Sequence, residues 1–228
     1  MVKKAKIIPL GSGDDKDSEP LTGNIKVTRS DWLNVALDIL VSEGVGEVKI
    51  LAIGERLNVS RSSFYWYFKS RQDLLDALLH HWQATNTAAL VRQSSLPAAT
   101  ITESICNVFH CFVDGDLFDN ALDFAIRDWA RRSGKVRKIL DQSDQTRLDA
   151  LAAMFCRYDY GDAEAKTRAN ILYFMQIGYN VAELNETLED RLKLVPGYLY
   201  AFTGVEASKA EIENFTTYAN KINLESTS

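Results

Sequence analysis

Residues 49–79 read KILAIGERLNVSRSSFYWYFKSRQDLLDALL, and the fold is decided there. Ile50, Ile53, Gly54 and Leu57 share one face of a short helix predicted over about 48–57. Asn58 follows, a residue that tolerates the left-handed backbone of a tight helix-to-helix turn. Ser60 is a good N-cap for another short helix, from Arg61 to about Trp66. Ser70 and Asp73 then make an S-x-x-D start, and Leu74, Leu75, Leu78, Leu79 and Trp82 carry the next helix to about residue 90.

Working upstream, Thr28 and Asp31 form a T-x-x-D variant of the capping box. Trp32, Val35, Ala36, Ile39 and Leu40 follow at the spacing of one apolar helix face, and Gly44 supplies a left-handed stop. Residues 1–25 are polar and contain DDKDSEP, which reads as a flexible arm. Three short helices with a turn between the second and third describe a helix-turn-helix unit. The last of them must pack one edge inward and offer polar side chains to a groove. Phe64 and Phe68, four residues apart, suit the inward edge. Ser60, Arg61, Ser62, Ser63, Tyr65, Trp66 and Tyr67 are left for duplex DNA or its margins, with Arg71 as a phosphate contact.

Residues 26–86 resemble the DNA-binding domain of the tetracycline-repressor (TetR) family. Val59 and Ser60 match its V-S, and Tyr65, Tyr67 and Phe68 match its Y-x-[HY]-F. Ser70, Arg71 and Leu74 match its [ST]-[KR]-x-x-L. Lys49 stands where the family usually has a Thr whose hydroxyl touches phosphate, so the resemblance implies that Lys49 serves the same phosphate by charge; Gly54 stands where the family has a small Ala, and Asn58 where it has a turn Gly. The resemblance implies an all-α fold. Its parts are an arm over 1–25, a helix-turn-helix domain over 26–86 (motif 49–68) and a larger helical ligand-binding and dimerisation domain over 87–228. It further implies a homodimer on a near-palindromic double-stranded DNA operator, acting as a repressor that a small-molecule effector releases.

The remainder reads as five or six longer helices, at about 98–113, 117–132, 135–156, 163–188, 189–202 around Pro196, and 207–222. The last opens with a capping box, Ser208 to Glu211. No alternating strand pattern and no repeat is present. The 163–188 helix is apolar on more than one face, as a helix buried against both core and partner must be. Ile171, Met175, Gly178, Tyr179 and Ala182 are therefore interface candidates, joined by Ile212 and Phe215 of the last helix. Aromatics crowd residues 98–180. Phe109, His110, Phe112, Phe124, Trp129, Tyr173 and Gln176 are candidate pocket residues for a largely apolar ligand, although ordinary core packing is the favoured reading for any single one of these aromatics, and a core or surface role for His110. Arg127 and Asp128 are expected to form an ion pair.

Composition sets outer bounds. The chain has 228 residues and a net charge of −5. The arm and residues 26–90 are each neutral, so the whole deficit lies beyond residue 90. Within the neutral segment, 60–71 holds Arg61, Lys69 and Arg71 and no acid, and local charge governs attraction to phosphate. No apolar run is long enough to span a membrane. Three widely spaced cysteines argue against a disulfide scaffold and fit a cytoplasmic protein. Cys106 and Cys111 are read as buried inert thiols. His80 and His81, adjacent on a helix, diverge by about 100° and make a poor metal pair. No nucleophile elbow, Walker A or dinucleotide motif occurs, so neither enzymatic chemistry nor a cofactor is expected. The competing reading is a helical small-molecule-binding or enzymatic protein that no longer binds an operator. Lys3, Lys4 and Lys6 read as a solvated tail, and 131–138 (RRSGKVRK) as a solvated helix junction.

Overall fold

A computed structural model describes residues 27–182 and 186–225. Residues 1–26, which include the arm, lie outside them, as do residues 183–185 and 226–228. The described residues are helices and their connections, with no strand among them. They divide into two compact units, one ending at Leu78 and the other beginning at Leu79.

The first unit holds α1 (Arg29–Glu43), α2 (Ile50–Arg56), α3 (Arg61–Phe64) and most of α4 (Arg71–Trp82). The expected capping box starts α1. The Thr28 side chain accepts from the Asp31 amide at 3.3 Å, and Asp31 Oδ2 accepts from the Thr28 amide at 2.7 Å. Gly44, at φ +85°, ends the helix and returns its N–H to the carbonyls of Ile39 and Leu40. Trp32, Ile39, Ile53, Phe64, Phe68 and Leu74 fill the core. The Phe64 ring lies edge-on to Trp32 at 5.2 Å and stacks on Phe68 at 5.4 Å.

The second unit contains the end of α4, a π-helical turn (Gln83–Thr87), α5 (Ala88–Ser95), α6 (Ile101–Val113), α7 (Asn120–Arg132), α8 (Gly134–Cys156), α9 (Asp162–Val181), α10 (Leu188–Thr203) and α11 (Lys209–Glu225). Periodicity predicts an unbroken helix to about residue 90, but the structure inserts a π turn. The wider turn accompanies two buried polar side chains. Asn86 exchanges hydrogen bonds with the backbone of Asp119, at 2.8 and 3.3 Å, and the Thr87 hydroxyl accepts from Arg147 Nε at 3.1 Å. A polar pair buried in this way shows no apolar stripe by which sequence periodicity could find it.

The helix predicted over 163–188 ends at Val181, and α10 begins at Leu188. The 20-residue α9 and the 23-residue α8 make the most extensive packing in the molecule. Asp159, at φ +64°, turns the chain between them. The capping box of α11 also ties that helix to α6. Glu211 Oε2 accepts from the Ser208 amide at 2.6 Å, and Oε1 accepts from the hydroxyls of Thr100 and Thr102, the latter at 2.8 Å.

Candidate functional site

The turn between α2 and α3 is built as its sequence requires. Asn58 adopts φ +53°. The Val59 amide donates to the Gly54 carbonyl at 2.9 Å, closing the turn. Gly54 is buried, and a Cβ there would stand 3.2 Å from the Val59 carbonyl oxygen and 3.6 Å from the Trp32 ring. The close approach of α2 to the turn thus explains a glycine that helix propensity alone would disfavour.

Beyond the turn, α3 is a single turn of helix, shorter than expected, with Tyr65 as its C-cap. Phe64 and Phe68 are buried as expected, and Ser60, Arg61, Ser62, Tyr65 and Trp66 face solvent. Trp66 is 78% exposed, a large apolar ring left on the surface beside a half-exposed Tyr65. Arg61 Nη2 reaches the Tyr65 hydroxyl at 3.4 Å, a long contact. The hydroxyls of Ser60 and Ser62 are 2.8 Å apart, and Ser63 Oγ donates to the Ser60 carbonyl at 2.7 Å. Lys49 is exposed and paired with Glu47 at 2.8 Å.

Two residues of the expected DNA set are committed inside the unit. The Tyr67 hydroxyl donates to the Val27 carbonyl at 2.6 Å, fastening the entry to α1. Arg71 Nε donates to the Val48 carbonyl at 2.6 Å and its Nη2 to the Val45 carbonyl at 2.7 Å. Both side chains are half-buried. Their spacing from α3 is right for DNA contact, but spacing does not reveal which backbone carbonyls need donors.

In the second unit a polar network joins α7, α8 and α9. Asp123 is its centre. Its Oδ1 accepts from Arg147 Nη1 at 2.9 Å and from Trp82 Nε1 at 2.9 Å, and its Oδ2 accepts from Arg127 Nε at 2.8 Å. Arg127 also grips Asp144 with both terminal nitrogens, at 3.0 and 2.8 Å. The Tyr173 hydroxyl donates to Asp144 at 2.6 Å and accepts from Arg127 and Arg147 at 2.8 and 3.1 Å. Burial alone would raise the Asp123 carboxyl, but the Arg147 and Arg127 charges and their hydrogen bonds hold it below its ordinary value. Burial drives the Tyr173 hydroxyl upward, so it remains a neutral donor. The expected Arg127–Asp128 pair does not form. Adjacent residues on a helix diverge by about 100°, so Arg127 turns to Asp123 one turn back, while Asp128 lies 3.9 Å from Arg132.

Two clefts open beside this network. One, of about 380 Å³ counting the open space at its mouth, is lined by Phe112, Phe118, Phe124, Tyr173, Ile177 and Val181, with Asp123, Arg127, Arg147, Gln176, Asn120 and Asn180 as its polar groups. The other, of about 510 Å³ counted in the same way, is bounded by Phe109, Phe112, Met175, Gln176, Tyr179 and Phe215 together with α10. Phe112 and Gln176 border both. Of the expected pocket residues, Phe109, Phe112, Phe124, Tyr173 and Gln176 line a cleft. His110 and Trp129 line neither. His110 lies against the Tyr218 ring at 3.9 Å and stacks on Phe215 at 5.8 Å, and burial lowers its pKa. Trp129 is buried in the core. The residues missed at the sequence level, Arg147 above all, lie on helices whose surface pattern hides one inward charge.

The expected interface set also separates. Ile171, Gly178 and Ala182 are exposed on α9. Phe215 is buried and packs on Phe109 at 5.9 Å, so it belongs to the core rather than to a partner surface. Met175 and Tyr179 turn to the second cleft, and Ile212 is half-buried. The exposed apolar face of α9 is instead Ile171, Phe174, Gly178 and Val181. Cys106 and Cys111 are buried, and burial pushes both thiols up to about 12, which makes them inert at neutral pH. Among the described residues no group of three or more His, Cys, Asp or Glu is placed to hold a metal, and no helix is long and apolar enough to cross a membrane.

Comparison with known proteins follows this division. Residues 33–78 match the family model described as bacterial regulatory proteins, tetR family. Solved structures share the fold over most of the chain. The structure of GusR from Salmonella enterica is 15% identical, with a TM-score of 0.55, covering 85% of this chain and 94% of that one. AmtR from Mycobacterium smegmatis is 16% identical, with a TM-score of 0.54, covering 88% and 97%. A transcriptional regulator from Rhodococcus sp. Rha1 is 14% identical, with a TM-score of 0.52, covering 87% and 97%. No curated protein sequence matches.

Proposed function

We propose that the chain is a DNA-binding regulator of transcription of the kind that its residues 33–78 match, the tetR family of bacterial regulatory proteins, and that it acts as a homodimeric repressor released from a near-palindromic operator by a small molecule. The observation that carries the DNA-binding part is the surface around α3. Arg61, Ser62, Tyr65 and Trp66 are exposed together over a core sealed by Phe64 and Phe68. A surface Trp and Tyr next to an exposed guanidinium held only by one long contact to the Tyr65 hydroxyl are suited to a groove with its phosphates and base edges.

Homodimerisation is supported by the face of α9 that carries Ile171, Phe174, Gly178 and Val181 to solvent. An apolar stripe of this length on a soluble surface matches an isologous helix pairing. Release by ligand is supported by the two clefts of the second unit, which combine aromatic walls with a few fixed polar groups. Such release requires that the ligand bind the operator-free state more tightly than the operator-bound state.

The test is selection of the full chain against a random duplex library at near-physiological salt, with sequencing of the retained DNA. The expected result is a short motif with two-fold symmetry. Retention of DNA with no motif, by protein that is demonstrably folded, would sink the operator reading and leave the second unit as the seat of function.

A further inference from the structure

Arg147 lies on α8 with its side chain wholly removed from solvent, and it lines the smaller cleft. Three of its hydrogen-bonding directions are filled. Nε donates to Thr87, and Nη1 donates to Asp123 and to Tyr173. Nη2 has no hydrogen-bond partner among the described residues. The Trp82 and Phe118 rings flank the guanidinium at 4.9 and 5.3 Å, which stabilises its charge but offers no oxygen acceptor. A buried donor left without an acceptor costs free energy that an incoming acceptor recovers.

The charge balance around it selects the acceptor. The guanidiniums of Arg127 and Arg147 face the carboxylates of Asp123 and Asp144, so the network is already neutral. A ligand carboxylate placed on Nη2 would add a buried negative charge next to Asp123, itself on the neighbouring nitrogen of the same guanidinium. Like charges at such range in a desolvated site repel strongly. A neutral oxygen meets the same need with no net charge. The walls of the cleft are apolar: Phe112, Phe124, Ile177 and Val181. Its remaining polar edge is a chain of amides. Gln176 Nε2 donates to Asn180 at 3.2 Å, and Asn180 Nδ2 donates to Asn120 at 2.8 Å.

We propose that this cleft takes an uncharged, largely apolar small molecule whose carbonyl oxygen accepts a hydrogen bond from Nη2 of Arg147. The proposal rests on the reading above that the second unit binds an effector, and it names the effector's chemical class. Arg147 is the anchor and Phe124, half exposed at the rim, is the apolar contact.

Matched probes test it. Cinnamamide and cinnamate share a shape and differ in charge at neutral pH, and each is titrated by calorimetry into the full chain without DNA. The amide is expected to bind about tenfold more tightly or better, reflecting the cost of burying a second anion beside Asp123. Phe124→Ala is expected to weaken the amide several-fold with an unchanged melting temperature. Arg147→Lys keeps the charge and withdraws Nη2, so the amide should bind several-fold more weakly. Binding of cinnamate as tight as that of the amide overturns the proposal, as does no binding of either probe up to its solubility, or amide binding that Phe124→Ala leaves untouched. Should the Arg147 variant fail to fold, the ratio of the two probes and the Phe124 variant still decide. Operator binding is followed separately. A probe that shows the expected preference and leaves operator affinity unchanged would overturn the effector reading while the site itself stands.

Discussion

Arg147 and Asp123 form an ion pair of 2.9 Å in the interior of the second unit, the guanidinium having no contact with solvent. Neither charge would be tolerable there alone. Asp123 receives hydrogen bonds on both oxygens, and Arg127 balances the second carboxylate, Asp144. Breaking one side is expected to be severe. Asp123→Asn should lower the unfolding free energy by about 3–5 kcal/mol, the cost of leaving a buried charge unpaired. The same group predicts an acid limb. Its folded pKa lies below the ordinary carboxylate value, so its stabilisation is complete above about pH 4 and is lost as pH falls through the lower folded value. Urea unfolding across pH should show this slope in the wild type and a flatter one in the variant. Parallel slopes would refute the assignment.

Arg61 and Arg71 are ten residues apart, and their expected behaviours differ. Arg61 is exposed with one long contact, so Arg61→Ala should leave the melting temperature alone and cost about 1–3 kcal/mol of operator binding, or lower the salt slope by about one if its target is a phosphate. Arg71 holds the carbonyls of Val45 and Val48. Arg71→Ala should therefore destabilise the fold by about 1–3 kcal/mol, since buried carbonyls lose a charged donor. Thermal unfolding of both variants beside fluorescence anisotropy on DNA separates the two roles. An unchanged melting temperature for the Arg71 variant would return it to the surface.

The contrast shows what could be read in advance. The caps at Thr28, Ser70 and Ser208, the apolar stripes and the left-handed Asn58 are encoded locally, by one side chain and its near neighbours, and those elements match the helices that form; Ser60 stands at the N-cap of α3 but its hydroxyl turns to Ser62 and makes no cap bond. The inward Phe64 and Phe68 were legible for the same reason. Tyr67 and Arg71 were legible as polar groups near α3 but not as pins, because their acceptors, Val27, Val45 and Val48, lie 23 to 40 residues upstream. Arg147 was invisible. Its partners come from the π turn, α7 and α9, and no periodicity in α8 marks the one charge that turns inward. The interface residues were half legible: a helix apolar on two faces was evident, but which face meets the core depends on α8 and α10.

Gly54 sets up a competition whose sign the geometry decides. Alanine would gain about 1 kcal/mol of helix propensity. Its Cβ would also sit 3.2 Å from the Val59 oxygen, in a turn held by the Val59–Gly54 hydrogen bond and by Asn58 at positive φ. That carbonyl has little room to retreat. Gly54→Ala is expected to leave the melting temperature unchanged or lower and to weaken operator binding, because any relief tilts α3. A rise of several degrees in differential scanning calorimetry would show that the turn yields.

The exposed face of α9 makes the last prediction. Ile171, Phe174, Gly178 and Val181 are spaced three or four residues apart, so they form one stripe along the helix. No described atom lies within 4 Å of a Cβ at Gly178, so the helix face is open at that position. Gly178→Glu and Phe174→Glu should therefore leave helical circular dichroism intact while placing a charge in the middle of the proposed pairing surface. Desolvating that charge against an identical charge on the partner opposes association twice, by burial and by repulsion. Light scattering is expected to give the mass of a single chain for each variant and twice that for the wild type. Tyr179→Glu makes the control. Tyr179 borders the second cleft rather than the stripe, so it should retain the dimer. Dimers persisting in the Gly178 and Phe174 variants would place the interface on another helix.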